Sequence, residues 1–308
     1  MPRPAPTIDT RVPADTFAVA TALAAGVTAD HLRTSAYEVP FRGARAASGT
    51  VESLYDRCRA LSTVLDDGVV FSDVTALRLM EVEVPWTRED DDRLHVVTLR
   101  PQDRPRRQRD GVVAHWSRQP VLGTTTVGEL AVTSPEQTFV HVAVGLRLPD
   151  DVVVLGDAMM RRQAMLTTPA KLADAAERTH KVKGIVQVRE QIERMRPGTD
   201  SSPETRVRLA IVDANLPRPQ VNQVVRAPDG EYVKRVDLLY PDLRIAIEYD
   251  GDQHRTDRAQ WREDIRARRR LEELGWIVIV VVGDDLRDLQ ALVSRVRAAI
   301  RARSRGLL

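Results

Sequence analysis

Cysteine is almost missing from this 308-residue sequence: Cys58 stands alone, which excludes an internal disulfide and any cysteine-based zinc cluster. That usage agrees with a reducing compartment, and Cys58 reads as a small buried hydrophobe. Lysine is scarce too, four residues against 42 arginines, a bias associated with a high-GC genome. No run approaches 18 consecutive apolar residues, and the opening MPRPAPTIDTRVPAD lacks the apolar core of a signal peptide. The expectation is a cytoplasmic protein with no membrane partner. A formal net charge of only +2 supplies no global basic field of the kind that announces nucleic acid. No internal repeat is evident, which excludes solenoids. What remains is a globular chain, 43% hydrophobic, long enough for two or three domains.

Against this background the acids of VDLLYPDLRIAIEYDGDQH, residues 236–254, stand out. Asp237, Glu248, Asp250 and His254 crowd around two short apolar runs. Val236 to Tyr240 and Ile245 to Asp250 read as two strands joined by Pro-Asp-Leu-Arg, a turn-forming stretch. Side chains alternate along a strand, so Glu248 and Asp250 share a face with Ala246, and three carboxylates converge if Asp237 projects the same way. Like charges so placed repel and raise one another's pKa; a divalent cation removes that penalty and creates a hydrolytic site. The cluster reads as a metal site for Mg2+ or Mn2+.

The surrounding elements form a definite order. Ser202 as N-cap and Pro203 at the first helical position open a helix with Leu209, Val212 and Leu216 as its stripe. Val221–Val225 and Glu231–Tyr240 flank the turn signal Ala-Pro-Asp-Gly, which gives a first strand pairing with a second that carries Asp237. The third strand carries Glu248. Asp257 followed by Gln260 resembles a capping box, Trp261, Ile265, Leu271 and Leu274 form a helical stripe, and Gly275 sits at the expected C-terminal cap. Ile277–Val282 is continuously apolar, as in a strand buried on both faces and parallel to its neighbour. The fold class is therefore α/β, with an α-β-β-β-α-β core and a closing helix from about Asp285.

This order, with Asp237 on the second strand and Glu248-Tyr-Asp250 on the third, resembles the PD-(D/E)xK restriction-endonuclease-like fold. The run E-Y-D-G-D-Q-H, the Arg-rich helix and L-E-E-L-G-W most resemble the DUF559 branch, which is similar to very-short-patch-repair endonucleases. The resemblance covers Ser201 to Leu308. It implies that Asp237 and Glu248 ligate metal, that Glu204 is the acid from the first helix, and that Asp250 stands where the general pattern has lysine. Asp250 could ligate a second metal, and His254 could act as general acid or base, since imidazole titrates near neutrality.

Charge is unevenly spread. From Arg255 to the C-terminus there are 13 Arg against 8 Asp or Glu, a balance of +5. Arg255, Arg266, Arg268, Arg269 and Arg270 are candidate phosphate contacts, because guanidinium matches phosphate in a bidentate geometry. The bland alternative is a solvated helix face with pairs such as Asp264 to Arg268. Two functions follow: a metal-dependent DNA endonuclease, or a non-catalytic nucleic-acid-binding regulator of toxin-antitoxin type that keeps the nuclease fold. The missing lysine favours the second; the clustered carboxylates favour the first, because an anionic site without metal repels phosphate.

The first two thirds carry less signal. Asp15–Ala25 and Glu52–Leu65 read as helices, Val69–Met80 as a short strand and a helix, Leu94–Leu99 and Gly111–Trp116 as strands, Val121–Val132 as further short strands, and Ser134-Pro135-Glu136 as a helix start. Pro105-Arg106-Arg107 reads as a solvated loop with some capacity for phosphate. Met159, Met160 and Met165 read as core filler on a helix. The region loosely resembles proteins related to AbiEi-type antitoxins, which implies a winged-helix-like head and a connector. Arg196-Pro-Gly-Thr-Asp-Ser201 has linker composition, so the expected division is a mixed α+β region over 1–198 and a nuclease-like domain over 199–308 able to fold alone.

Overall fold

The computed structural model of the chain describes residues 8–12, 14–99, 109–251 and 258–305. His254, Arg255, Asp257 and the segment Pro105-Arg106-Arg107 lie outside the described residues, as do the side chains of 258–261. The fold is α/β, with helices and strands in several mixed sheets. It divides into two compact units, one of Met1–Val142 with Thr179–Lys181 and one of Ala143–Arg178 with Val182–Leu308.

In the first unit, β1 (Thr16–Ala18) precedes α1 (Val19–Ala24), and β2 (Tyr37–Glu38) and β3 (Ala44–Ala47) complete a three-stranded antiparallel sheet ordered β1-β3-β2. The span 15–25 reads as one helix, yet Thr16 and Phe17 pair with Ala46 and Arg45, so tertiary pairing claims its first turn as strand. Among the described residues the one α-helix preceding α2 (Leu54–Ser62) is the six-residue α1, too short for a recognition helix of ordinary length. Ser53 caps α2 through a reciprocal box with Asp56. A five-stranded mixed sheet follows, built from β4 (Val70–Phe71), β5 (Leu94–Leu99), β6 (Val112–Ser117), β7 (Thr124–Val127) and β8 (Leu130–Thr133), in the order β6-β5-β4-β8-β7. α3 (Asp73–Leu79) leaves β4, and α4 (Pro135–Ala143) follows β8. Cys58 is fully buried with Leu61, Phe71 and Val132, and burial pushes its thiol up to about 12, so it is the inert hydrophobe expected.

The second unit begins with α5 (Pro149–Ala158), a hairpin of β9 (Met160–Arg161) and β10 (Ala164–Met165), α6 (Pro169–Arg178) and α7 (Ile185–Ile192). Met159 and Met160 are core residues, whereas Met165 is 54% exposed on β10 and fills no core. Then come α8 (Ser202–Asp213), β11 (Gln220–Arg226), β12 (Tyr232–Tyr240), β13 (Ile245–Tyr249), α9 (Arg258–Glu273), β14 (Ile277–Val281) and α10 (Leu289–Arg305), in the expected order. The cap of α8 is Ser201 rather than Ser202, with Pro203 one position further in. The sheet order is β11-β12-β13-β14; β12 is antiparallel to both neighbours and β14 runs parallel to β13 from Ile245↔Ile277 to Tyr249↔Val281. Gly230 at φ 89° turns β11 into β12, and Gly275 at φ 81° ends α9.

Both faces of this sheet are covered, which explains the unbroken apolar run of β14. Val207 and Ile211 of α8 and Leu292 and Val296 of α10 pack on Leu238, Tyr240, Ile245, Ile247 and Val281. Leu271 of α9 packs on the other face with Val225, Val236, Leu239 and Ala246.

The position 198/199, expected as a domain boundary, falls inside the second unit. Fully buried Asp157 of α5 takes Arg208 of α8 at 2.7 Å, Thr205 Oγ1 at 3.0 Å and the Arg196 N–H at 2.7 Å. Arg206 adds a 2.7 Å bond to Asp151. The Pro-Gly-Thr-Asp composition therefore marks a tight connection between packed helices, which its residue types serve as well as they serve a linker.

Candidate functional site

One irregularity in the sheet brings the acids of the second unit together. Along β12, Val233, Val236 and Leu239 belong to one apolar face while Leu238 and Tyr240 belong to the other, so the two-residue alternation breaks twice, at the bulge beside Val233 and again at Asp237. On β11, Val221 and Val225 also lie on opposite faces although four residues apart. The register Gln223↔Val236 and Val221↔Leu238 leaves Asn222 opposite Asp237, and Asn222 has φ 49°. Asparagine tolerates this left-handed backbone better than most residues. From there its Nδ2 donates to Glu204 Oε2 at 3.0 Å and to the Gly198 carbonyl at 2.8 Å.

Glu204, in the first turn of α8, is 6% exposed and also accepts from the Asp200 N–H at 3.0 Å and Ser201 Oγ at 2.8 Å. It is thus both part of the helix cap and a buried acid facing the crease. Asp237 Oδ2 accepts the Tyr249 N–H at 2.8 Å, which ties β12 to β13 where their ladder ends. Burial pushes the Asp237 carboxyl up to about 8, and Glu204 and Glu248 add to the shift by repulsion, against the Tyr249 N–H and Lys234. Burial likewise raises Glu204, against its three hydrogen-bond donors.

Glu248, 4% exposed, meets the Lys234 ammonium at 3.1 Å through Oε1 and 3.2 Å through Oε2. Lys234 also binds Asp264 of α9 at 3.0 Å. Burial alone would lower the Lys234 ammonium, but Glu248 and Asp264 outweigh it, and the net shift is upward. Arg268 approaches Glu248 Oε2 at 3.7 Å and Asp250 at 3.5 Å. Lys234 is not among the sequence candidates, although a signal for it is there: it is the one lysine after residue 183, three positions before Asp237.

The expected residues separate into groups. Glu204 and Glu248 both act electrostatically on Asp237. Asp250 is drawn to Arg268. The arginine run divides by helical phase: Arg268 faces the acids, Arg266, Arg269 and Arg270 are exposed, and Arg270 pairs with Glu273 at 3.3 Å. Asp264, by spacing a candidate partner of Arg268, takes Lys234 instead.

The donor set suits a hard divalent cation. Glu204, Asp237 and Glu248 offer only oxygen, the ligand atom Mg2+ and Mn2+ prefer, although both oxygens of Glu248 already face the Lys234 ammonium. The spacing is wide: among the described residues no three acids of this unit bring ligand oxygens within 4.8 Å of one another.

The upward shift of Asp237 sets a sign for stability against pH. An unfolded aspartate ionises near ~3.9. Between about 4 and about 8 the unfolded chain therefore binds fewer protons than the cation-free fold, and stability falls as pH rises. Asp237→Asn is expected to flatten this dependence and to raise stability at alkaline pH by about 2 kcal/mol, read by urea unfolding at acidic and alkaline pH. An unchanged pH profile would mean that Asp237 titrates normally.

Two uncharacterized proteins of Mycobacterium tuberculosis, one from strain CDC 1551 / Oshkosh and one from strain H37Rv, are each 34% identical to this chain over 160 residues. The match takes in 52% of this chain and 57% of each relative, so it spans little more than half the length of the curated relatives. No family model and no solved structure matches the chain.

Proposed function

We propose that the second unit is a metal-dependent phosphodiesterase acting on DNA. The observation that carries this reading is the meeting of three buried or half-buried acids, Glu204, Asp237 and Glu248, with Lys234 at a crease in a mixed sheet. Asp237 and Glu248 would hold Mg2+ or Mn2+, which when bound supplies charge stabilisation at the phosphoryl oxygen and a more acidic water. Asn222 and the cap of α8 orient Glu204. Lys234 takes the position-independent part of the role usually filled by a lysine in place of Asp250: a half-buried ammonium beside the acids, able to hold developing negative charge on phosphate. Arg266 and Arg269, exposed on α9, are available to backbone phosphates.

A second reading is a DNA-binding regulator without cleavage. The wide carboxylate spacing and the neutralisation of Glu248 by Lys234 and Arg268 favour it.

A panel of end-labelled duplex, nicked, mismatched and single-stranded DNA, incubated with Mg2+ or Mn2+, tests the choice. Cleavage that falls about 100-fold in Lys234→Met supports the phosphodiesterase. Binding without cleavage supports the regulator. In either case Arg266→Ala with Arg269→Ala is expected to reduce the slope of log affinity against log salt by about one unit for each phosphate that is no longer neutralised. An unaltered slope would remove α9 from the DNA interface.

A further inference from the structure

Three of the six histidines of the chain gather in the first unit. His95 on β5 and His115 on β6 lie on adjacent parallel strands, with His95 opposite Val113 and His115 opposite Val97. The two imidazoles share a face, stacked with ring centroids 5.2 Å apart and planes at 21°. Nδ1 of His95 and Nε2 of His115 are 2.9 Å apart. Asp73, at the start of α3, puts Oδ1 3.8 Å from His95 Nδ1, and Asp73, His95 and His115 offer one ligand atom each within 4.8 Å of one another.

The surroundings aim these atoms. His95 is 1% exposed, and its Nε2 meets Asp91 Oδ2 at 3.1 Å. A carboxylate only accepts, so in the neutral ring Nε2 carries the proton and Nδ1 turns its lone pair to Asp73 and His115. The His95 N–H donates to Thr75 Oγ1 at 2.8 Å, fixing β5 against α3. Asp73 is held at φ 55° by the Val74 N–H and by Arg88, each at 2.8 Å from Oδ1. His141 of α4 borders the group: it is bound to Gln137 at 2.9 Å, and both Asp73 and His115 act on its charge.

We propose that Asp73, Nδ1 of His95 and Nε2 of His115 bind a divalent transition-metal ion of the zinc class, with one coordination position open. Two imidazoles and a carboxylate are a donor set zinc accepts, and three protein ligands leave a place for water. Ligands about 2.0–2.1 Å from a tetrahedral ion stand about 3.3 Å apart, between the 2.9 Å and 3.8 Å separations here. Asp91 on the far nitrogen of His95 is the outer carboxylate that metal-bound histidines ordinarily have. Arg88, 3.7 Å from Asp91 as well, keeps a carboxylate partner when Asp73 turns to the ion. The nitrogen donors separate this site from the all-oxygen set of the second unit, which suits a different metal.

The test is the metal content of the full chain purified without chelator, followed by Zn2+ and Co2+ titration. Expected are stoichiometric zinc and, on Co2+ substitution, visible absorption of the intensity typical of a four-coordinate ion. His115 is partly exposed, so His115→Ala should retain the far-ultraviolet circular dichroism of the fold while lowering Zn2+ affinity about 100-fold or more. Asp91→Asn, which leaves all three ligands in place, should lower it roughly 10- to 100-fold, and Glu248→Gln should leave it unchanged. Absence of zinc and of a Co2+ spectrum in the unsubstituted chain overturns the proposal. So does Zn2+ binding that survives His115→Ala and Asp91→Asn, or that is lost in Glu248→Gln.

Discussion

Asp157→Ala is expected to destabilise the second unit by about 3–5 kcal/mol, the range found when one partner of a buried ion pair is removed. Asp157 is fully buried and its Oδ2 holds both Arg208 and Thr205, while Oδ1 holds the Arg196 backbone. Alanine leaves the Arg208 guanidinium, 4% exposed, without a counter-charge. Chemical denaturation of the full chain measures the loss. Asp157→Ala combined with Arg208→Met should recover part of it, because a neutral pair strands no charge. The same interaction bears on dissection: a fragment from Ala143 keeps the pair, whereas a fragment from Thr199 discards α5 and exposes its seat on α8. A cooperative melt of the 199–308 fragment equal to that of the 143–308 fragment would show that the pair contributes little.

Glu248→Gln and Asp237→Asn are each expected to lower Mg2+-dependent cleavage of DNA by at least about 100-fold, since several kcal/mol of charge stabilisation depends on these ligands. The fold should survive both changes. Asp237→Asn removes a charge that burial, Glu204 and Glu248 disfavour, so at alkaline pH the cation-free variant should melt higher, not lower. A second readout separates chemistry from structure: Mg2+ should raise the melting temperature of the unsubstituted chain and leave that of Asp237→Asn nearly unmoved. Cleavage that persists at full rate in either variant would sink the assignment of these acids, whatever the thermal shifts show.

Much of the second unit is legible because its signals are local. A Ser-Pro start, an Ala-Pro-Asp-Gly turn, a continuous apolar strand and Gly275 are each read within a few residues, and together they give the order α-β-β-β-α-β. The position of Asp237 and Glu248 on adjacent strands follows from that order. The role of Lys234 does not. Its partner Glu248 is 14 positions away on the neighbouring strand, and the face it presents depends on where β12 breaks its alternation, at the bulge beside Val233 and again at Asp237. The arginine run misleads for a related reason: consecutive residues on a helix point about 100° apart, so Arg268 turns inward while Arg266 and Arg269 turn out.

The N-terminal third is the least legible. Short strands such as β1 carry too few residues to show a period, and pairing with β3 overrides the helical look of 15–25. The division of the chain is hidden as well, since a Pro-Gly-Thr-Asp turn has the same composition whether it joins domains or packed helices. From residue 202 onward local chemistry, encoded in nearest neighbours, determined which elements form and in what order. Tertiary structure alone decided which charges meet: Asp157 with Arg208 across 51 positions, Lys234 with Glu248, and Asp73 with His95 and His115. Those meetings depend on sheet order, face and helical phase, quantities that become defined only once the whole core has packed.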